Sequence, residues 1–263
     1  MRTVKFELLR PEEIREEKQR RPIVYLPLGP LEWHGPHLPL GTDPLNAQSI
    51  AVRLAEKNGG VVLPTLFWGT ERERSPEMLK HIGFGGDEWI VGMDFPANSM
   101  PSLYTREEVF GIIVQEYLRL LAIQGYKLVV IVNGHGGENH IEVLERLAKE
   151  FTNTSECAVL YAFATYTMEG DKHDLGHASK LETDIISYLY PDAVDVGTLP
   201  PKGEKLYNLD YAIVDGSTFE GCPNSDFSVE NDPRDADAQR GRRVVEHSVN
   251  VITEMMRPYM DKF

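Results

Sequence analysis

Four times along this chain a short apolar run is followed by a stretch whose apolar residues recur at helical spacing. This alternation limits the fold more than any other feature. "IVYLPLG" (23–29) is partly β-branched and ends in Gly, so it reads as a buried strand. "PLNAQSIAVRLAEKNGG" (44–60) follows as a helix, with Pro44 suited to its first position and Asn58-Gly59-Gly60 to its end. "VVLPTLF" (61–67) is a second strand, although Pro64 removes one ladder donor. "TREEVFGIIVQEYLRLLAIQG" (105–125) is the next helix, with Thr105 and Glu108 at capping-box spacing. "KLVVIV" (127–132) and "CAVLYAF" (157–163) are two more strands. They precede helices at 139–151, where Asn139 and Glu142 repeat the capping-box spacing, and at 180–190. A last helix is expected at 239–260. Parallel strands joined by helical crossovers require helices on both faces. The expected fold is therefore α/β, a parallel-sheet sandwich forming a single domain over residues 1–263. Two long segments, 68–104 and 191–238, show no periodicity. Irregular segments of that length usually carry function or an interface.

Charge and composition exclude several classes. With 27 Lys and Arg against 41 Asp and Glu, the net charge of −14 repels phosphate backbones, so no nucleic-acid partner is expected. No apolar run is long enough to span a membrane and the N-terminus has no signal-peptide core, so a cytoplasmic location is expected. Cys157 and Cys222 form no CxxC pair, which argues against a disulfide framework and a thiolate zinc site. Neither GxxxxGK[ST] nor GxGxxG occurs.

Ligands of open parallel sheets bind beyond the carboxyl ends of the strands. Three clusters fall there. Glu32, His34, His37 and Asp43 follow the first strand in "LPLGPLEWHGPHLPLGTD"; His135 follows the third in "NGHGGEN"; His177 and Glu182 follow the fourth in "GHASKLET". Imidazoles and carboxylates in this number suit two divalent cations, zinc, manganese or iron. Each residue alone has a plainer reading. Asp43 before Pro44 could be a helix N-cap, Glu32 and His34 polar loop groups, His135 a turn residue, and Glu182 a carboxylate meeting a helix dipole. His37 suits a group that orients a ligand. Glu138 and His140 are expected to face solvent or a capping network. Convergence of the clusters favours the metal reading.

The three motifs, in this order over about residues 23–190, resemble the creatininase (creatinine amidohydrolase) family. The resemblance implies a metal-dependent hydrolase with a parallel α/β sandwich, commonly a homo-oligomer and often a hexamer, acting on a small molecule. It implies two divalent ions per subunit, held by Glu32, His34, Asp43 and His135, with Glu182 completing the set. His177 is then the candidate acid for the leaving atom. Creatininases proper carry a Trp just before the third-motif His; "KHDLGHAS" has no aromatic, so creatinine is not the expected substrate. The polar insert "HIGFGGDEWIVGMDFPANSMPSLY" (81–104) resembles the branch that hydrolyses diketo-inositols of the 3-dehydro-scyllo-inosose type. His81 in that insert is a candidate substrate contact. The alternatives are an amidohydrolase of a cyclic amide or formamide, and a non-catalytic metal-binding assembly protein.

Overall fold

The computed structural model describes residues 3–89, 92–168, 176–213 and 231–263. Four parallel strands, β1 (Ile23–Leu28), β2 (Val61–Val62), β3 (Leu128–Asn133) and β4 (Ala158–Phe163), form one sheet in the order β2-β1-β3-β4. β1 pairs with β3 from Ile23↔Leu128 to Leu28↔Asn133, and β3 pairs with β4 over its whole length. The helices are α1 (Pro11–Arg20), α2 (Thr42–Asn58), α3 (Pro76–His81), α4 (Glu107–Ile123), α5 (Glu138–Thr154), α6 (Lys180–Leu189), the four-residue α7 (Asn208–Tyr211) and α8 (Ala238–Met260).

Side chains alternate across each strand and so build two cores. Ile23, Tyr25, Val130 and Leu160 pack with Ile50 and Leu54 of α2, Ile185 of α6 and Val245 and Ile252 of α8. Val24, Leu26, Ile131 and Val159 pack on the other face with Phe110 and Leu118 of α4 and Leu144 and Leu147 of α5. This is the two-faced α/β sandwich expected from the alternation.

Several local expectations are corrected. β2 stops at Val62 rather than running to residue 67, and only the single bridge Leu28↔Leu66 continues the pairing beyond Pro64. Neither expected capping box forms. α4 has Arg106 at its cap, and the Thr105 hydroxyl donates to the Gly69 carbonyl at 3.0 Å. α5 is capped by Gly137, while Asn139 donates to Glu107 at 3.1 Å. Asp43 is not an N-cap; it lies inside the first turn of α2, after Gly41.

Helices α6 and α8 meet where Gly241 lies against the Asp184 carbonyl; a Cβ there would come within 2.0 Å of it. The fully buried Asp184 side chain accepts from Arg240 Nη2 at 2.6 Å and from the Asp237 amide at 2.5 Å. Asp184→Ala strands a mostly buried guanidinium, and should destabilise the fold by about 3–5 kcal/mol in urea unfolding.

Candidate metal centre

The carboxyl ends of the strands open onto one buried cluster. The chain leaves β1 at Leu28, passes Glu32 and His34, and enters α2, whose first turn carries Asp43. His135 leaves the end of β3, and Glu182 lies in the first turn of α6. Asp43 sits in the middle. Its Oδ1 is 3.2 Å from His34 Nε2, and its Oδ2 is 3.1 Å from His135 Nδ1. The same His135 nitrogen is 3.1 Å from Glu32 Oε2, and His34 Nε2 is 3.7 Å from Glu182 Oε2. Two triads follow, Glu32–Asp43–His135 and His34–Asp43–Glu182, which share Asp43. Glu32, His34 and His177 make a third grouping beside them.

Several neighbours fix these side chains. His34 Nδ1 meets the Glu32 carbonyl at 3.0 Å, which turns Nε2 toward the carboxylates. Asn133, buried at the end of β3, accepts from the His135 amide at 2.9 Å and donates to the His135 carbonyl at 2.7 Å. The Ala178 amide donates to Glu182 Oε2 at 2.6 Å. Ala178 holds a left-handed φ of 55°, an uncommon conformation for a residue with a Cβ. His37 is buried and its Nε2 lies 3.0 Å from the Thr183 hydroxyl, so it braces the start of α6 beside Glu182. His177 Nε2 lies against the Trp33 carbonyl, with Nδ1 4.0 Å from Glu32 Oε1.

Burial disfavours charge on every member of the cluster; attraction between neighbours outweighs it for some members and not for others. For Glu32 and Asp43, burial is outweighed by the facing histidines, and both carboxyls stay below the usual range. For His34, burial is outweighed by Asp43, Glu182 and Glu32, which push it up to about 10. His135 rises likewise, against burial, under Glu32 and Asp43. Glu182, dominated by burial, moves up to about 8. His177 falls to about 4 and His37 to about 3, each through burial and then the nearby His34. Protons on His34 and His135 thus supply positive charge that bound cations would replace.

The donor set fits divalent cations. His34 Nε2 is buried without a hydrogen-bond partner although carboxylates surround it. Donors on one ion at about 2.0–2.2 Å sit roughly 3–3.5 Å from each other, and the contacts of 3.1 and 3.2 Å around Asp43 have that spacing. All the donors are nitrogen or oxygen, a set that suits zinc or manganese.

The structure also separates residues that the sequence grouped. His81 is exposed at the end of α3, lining a different cavity with Pro96 and Asp210. Glu138 is exposed and ion-paired with Arg72. His140 does not face solvent: it is fully buried, with Nε2 3.0 Å from Asn133 Oδ1 and its ring edge-on to His135. Cys222 and residues 172–175 of "KHDLG" lie outside the described residues.

Two residues absent from the sequence expectation border the cluster. Tyr104 donates to Glu32 Oε1, and Glu71 Oε2 approaches His135 Nε2 at 3.5 Å. Both come from the irregular connection between β2 and α4. The insert folds over the site: Leu103 bridges Leu31, the Trp33 amide donates to Ser102, and Met93 lines a central cavity of about 130 Å³ with Glu32, Asp43, His135, His177 and Glu182.

Fold and cluster together define a metal-dependent α/β hydrolase. Residues 7–256 match the Creatininase family, described as creatinine amidohydrolase, and the chain belongs to that family. Its relatives include the mycofactocin precursor peptide peptidase of Mycobacterium ulcerans (strain Agy99), 26% identical over 87% of this chain and 82% of the relative. The 3-dehydro-scyllo-inosose hydrolase of Thermotoga maritima is 24% identical over 99% of this chain and 85% of the relative. A crystal structure of creatinine amidohydrolase superposes with a TM-score of 0.67 at 21% identity, covering 99% of both chains. No helix among the described residues is long and apolar enough to cross a membrane.

Proposed function

We propose that this enzyme opens a small cyclic polar substrate by hydrolysis, with C–C cleavage of a diketo-inositol of the 3-dehydro-scyllo-inosose type as the favoured reaction. The observation that carries the substrate class is the insert. Tyr104 and Met93 reach the cluster from it, so a polar segment shapes the site rather than a distant surface. Beside it a cavity of about 480 Å³ is lined by Glu71, Arg72, Glu73, Arg74 and Ser75, side chains that suit hydroxyl and keto oxygens. The full-length similarity to an inosose hydrolase supports the same choice.

Glu32, His34, Asp43, His135 and Glu182 would hold two divalent ions, with Asp43 spanning both positions. When bound, such ions lower the pKa of water to roughly 7 and polarise a carbonyl. Tyr104 holds Glu32 in place through its hydroxyl. Water's oxygen adds to one ring carbonyl, the adjacent C–C bond breaks, and its electron pair passes into the second carbonyl as an enolate. The proton taken from water, returned to the carbon that had joined the two carbonyls, gives the keto acid. His177 is placed to take water's proton and return it: with Nε2–H on the Trp33 carbonyl, the Nδ1 lone pair faces Glu32 and the central cavity.

A cyclic amide is the second reading. It is favoured by a cavity of about 360 Å³ that reaches Asp43 and Glu182 between Tyr161, Phe163, Ile141 and Ile186, a lining suited to a flat or apolar group. A screen of cyclic diketones and cyclic amides, with and without added zinc or manganese, separates the two. Turnover is expected with a diketo-cyclitol, with negligible hydrolysis of creatinine. Creatinine turnover comparable to that of the best diketo-cyclitol would contradict the polar-pocket assignment.

A further inference from the structure

We infer that Glu71 is a positioning residue for His135, accepting its Nε2 proton and so directing the Nδ1 lone pair at the shared Asp43–Glu32 position. The inference rests on the metal reading of the cluster.

The two nitrogens of His135 face different partners. Nδ1 lies 3.1 Å from both Asp43 Oδ2 and Glu32 Oε2, whereas Nε2 points away from them and is buried without a hydrogen-bond partner. The buried Glu71 carboxylate approaches it, with Oε2 at 3.5 Å. A ligating imidazole commonly donates its other N–H to a carboxylate, which selects the tautomer and raises the basicity of the ligand atom. A contraction of a few tenths of an ångström brings this contact to hydrogen-bond distance.

The path to His135 is built for Glu71. Its side chain runs between two glycines. A Cβ on Gly92 would lie 2.0 Å from Glu71 Cγ, and one on Gly137 would lie 2.5 Å from Glu71 Oε2 and 2.6 Å from His135 Nε2. Position 137 therefore stays empty so that a carboxylate from another segment can occupy that space. The other carboxylate oxygen accepts from the Arg72 amide at 2.8 Å, leaving Oε2 for the imidazole.

The backbone beneath Glu71 is tied to His135 as well. The amide of Thr70, the preceding residue, donates to His140 Nδ1 at 3.3 Å. With Nδ1 accepting, His140 Nε2 donates to Asn133 Oδ1, and Asn133 in turn grips the His135 main chain. The buried His140 thus sets the separation of the two segments.

The test is titration of chelator-stripped protein with Mn²⁺ by calorimetry, with thermal unfolding of the metal-free form as a check on folding. Glu71→Ala is expected to weaken Mn²⁺ binding about 10–100-fold. Glu71→Gln, which still presents an acceptor oxygen, should stay within about threefold of wild type. Gly137→Ala, whose Cβ would press on both the Glu71 carboxylate and His135 Nε2, should lose at least as much as Glu71→Ala. Wild-type affinity in Glu71→Ala or Gly137→Ala would overturn the inference. So would a Gln variant as weak as the Ala variant, because Glu71 would then contact the ion directly. Wild-type protein that takes up no Mn²⁺ would instead overturn the metal reading itself.

Discussion

Asp43→Ala should empty both cation positions at once and lower turnover about 1,000-fold or more. Its two oxygens face different histidines, His34 at 3.2 Å and His135 at 3.1 Å, and it belongs to both triads. Charge stabilisation by a bound cation contributes several kcal/mol, and about 4 kcal/mol corresponds to about three powers of ten in rate. Removing any other single donor leaves one triad intact, so Asp43 is singled out by sharing. Metal analysis of the purified variant, with circular dichroism to confirm the fold, checks the expectation. Retention of one full equivalent would show that the positions do not share this carboxylate.

The second large effect separates two glutamates that both follow a motif histidine. Glu182→Ala should lose one metal equivalent and about 100-fold or more of activity, while Glu138→Ala should keep both. Glu182 lies on the inner side of the α6 start, with Oε2 3.7 Å from His34 Nε2 and held by the Ala178 amide. Glu138 opens α5 but points outward, two-thirds exposed, to Arg72. An exposed ion pair of that kind contributes little. Full metal content in Glu182→Ala, or loss of an equivalent in Glu138→Ala, would reverse the assignment.

These residues were legible because each lies within a few positions of a strand end or a helix start. Glu32 and His34 follow β1 and His135 follows β3, so strand recognition alone places them on one sheet edge. Glu71 and Tyr104 could not be placed this way. They lie in a connection without periodicity, and only tertiary folding brings them to His135 and Glu32. His140 did carry a signal. It shares the spacing of Val143, Leu144, Leu147 and Ala148, the buried stripe of α5, so helical periodicity predicts burial despite its polarity. Helix α1 was not among the expected helices, although Pro11 at its first position, Glu12 and Glu13 in its first turn, and Lys18 and Arg20 in its last carry a helix signal. The capping boxes failed for a different reason. Thr105 and Asn139 found partners in neighbouring segments, Gly69 and Glu107, and local spacing does not reveal that competition.

The most direct test of the account is the metal content of the purified wild-type chain, measured together with turnover of a cyclic diketone before and after chelation. Two divalent ions per chain are expected, with loss of turnover when they are stripped and recovery on adding back zinc or manganese. Undiminished turnover by protein shown to be metal-free would contradict it.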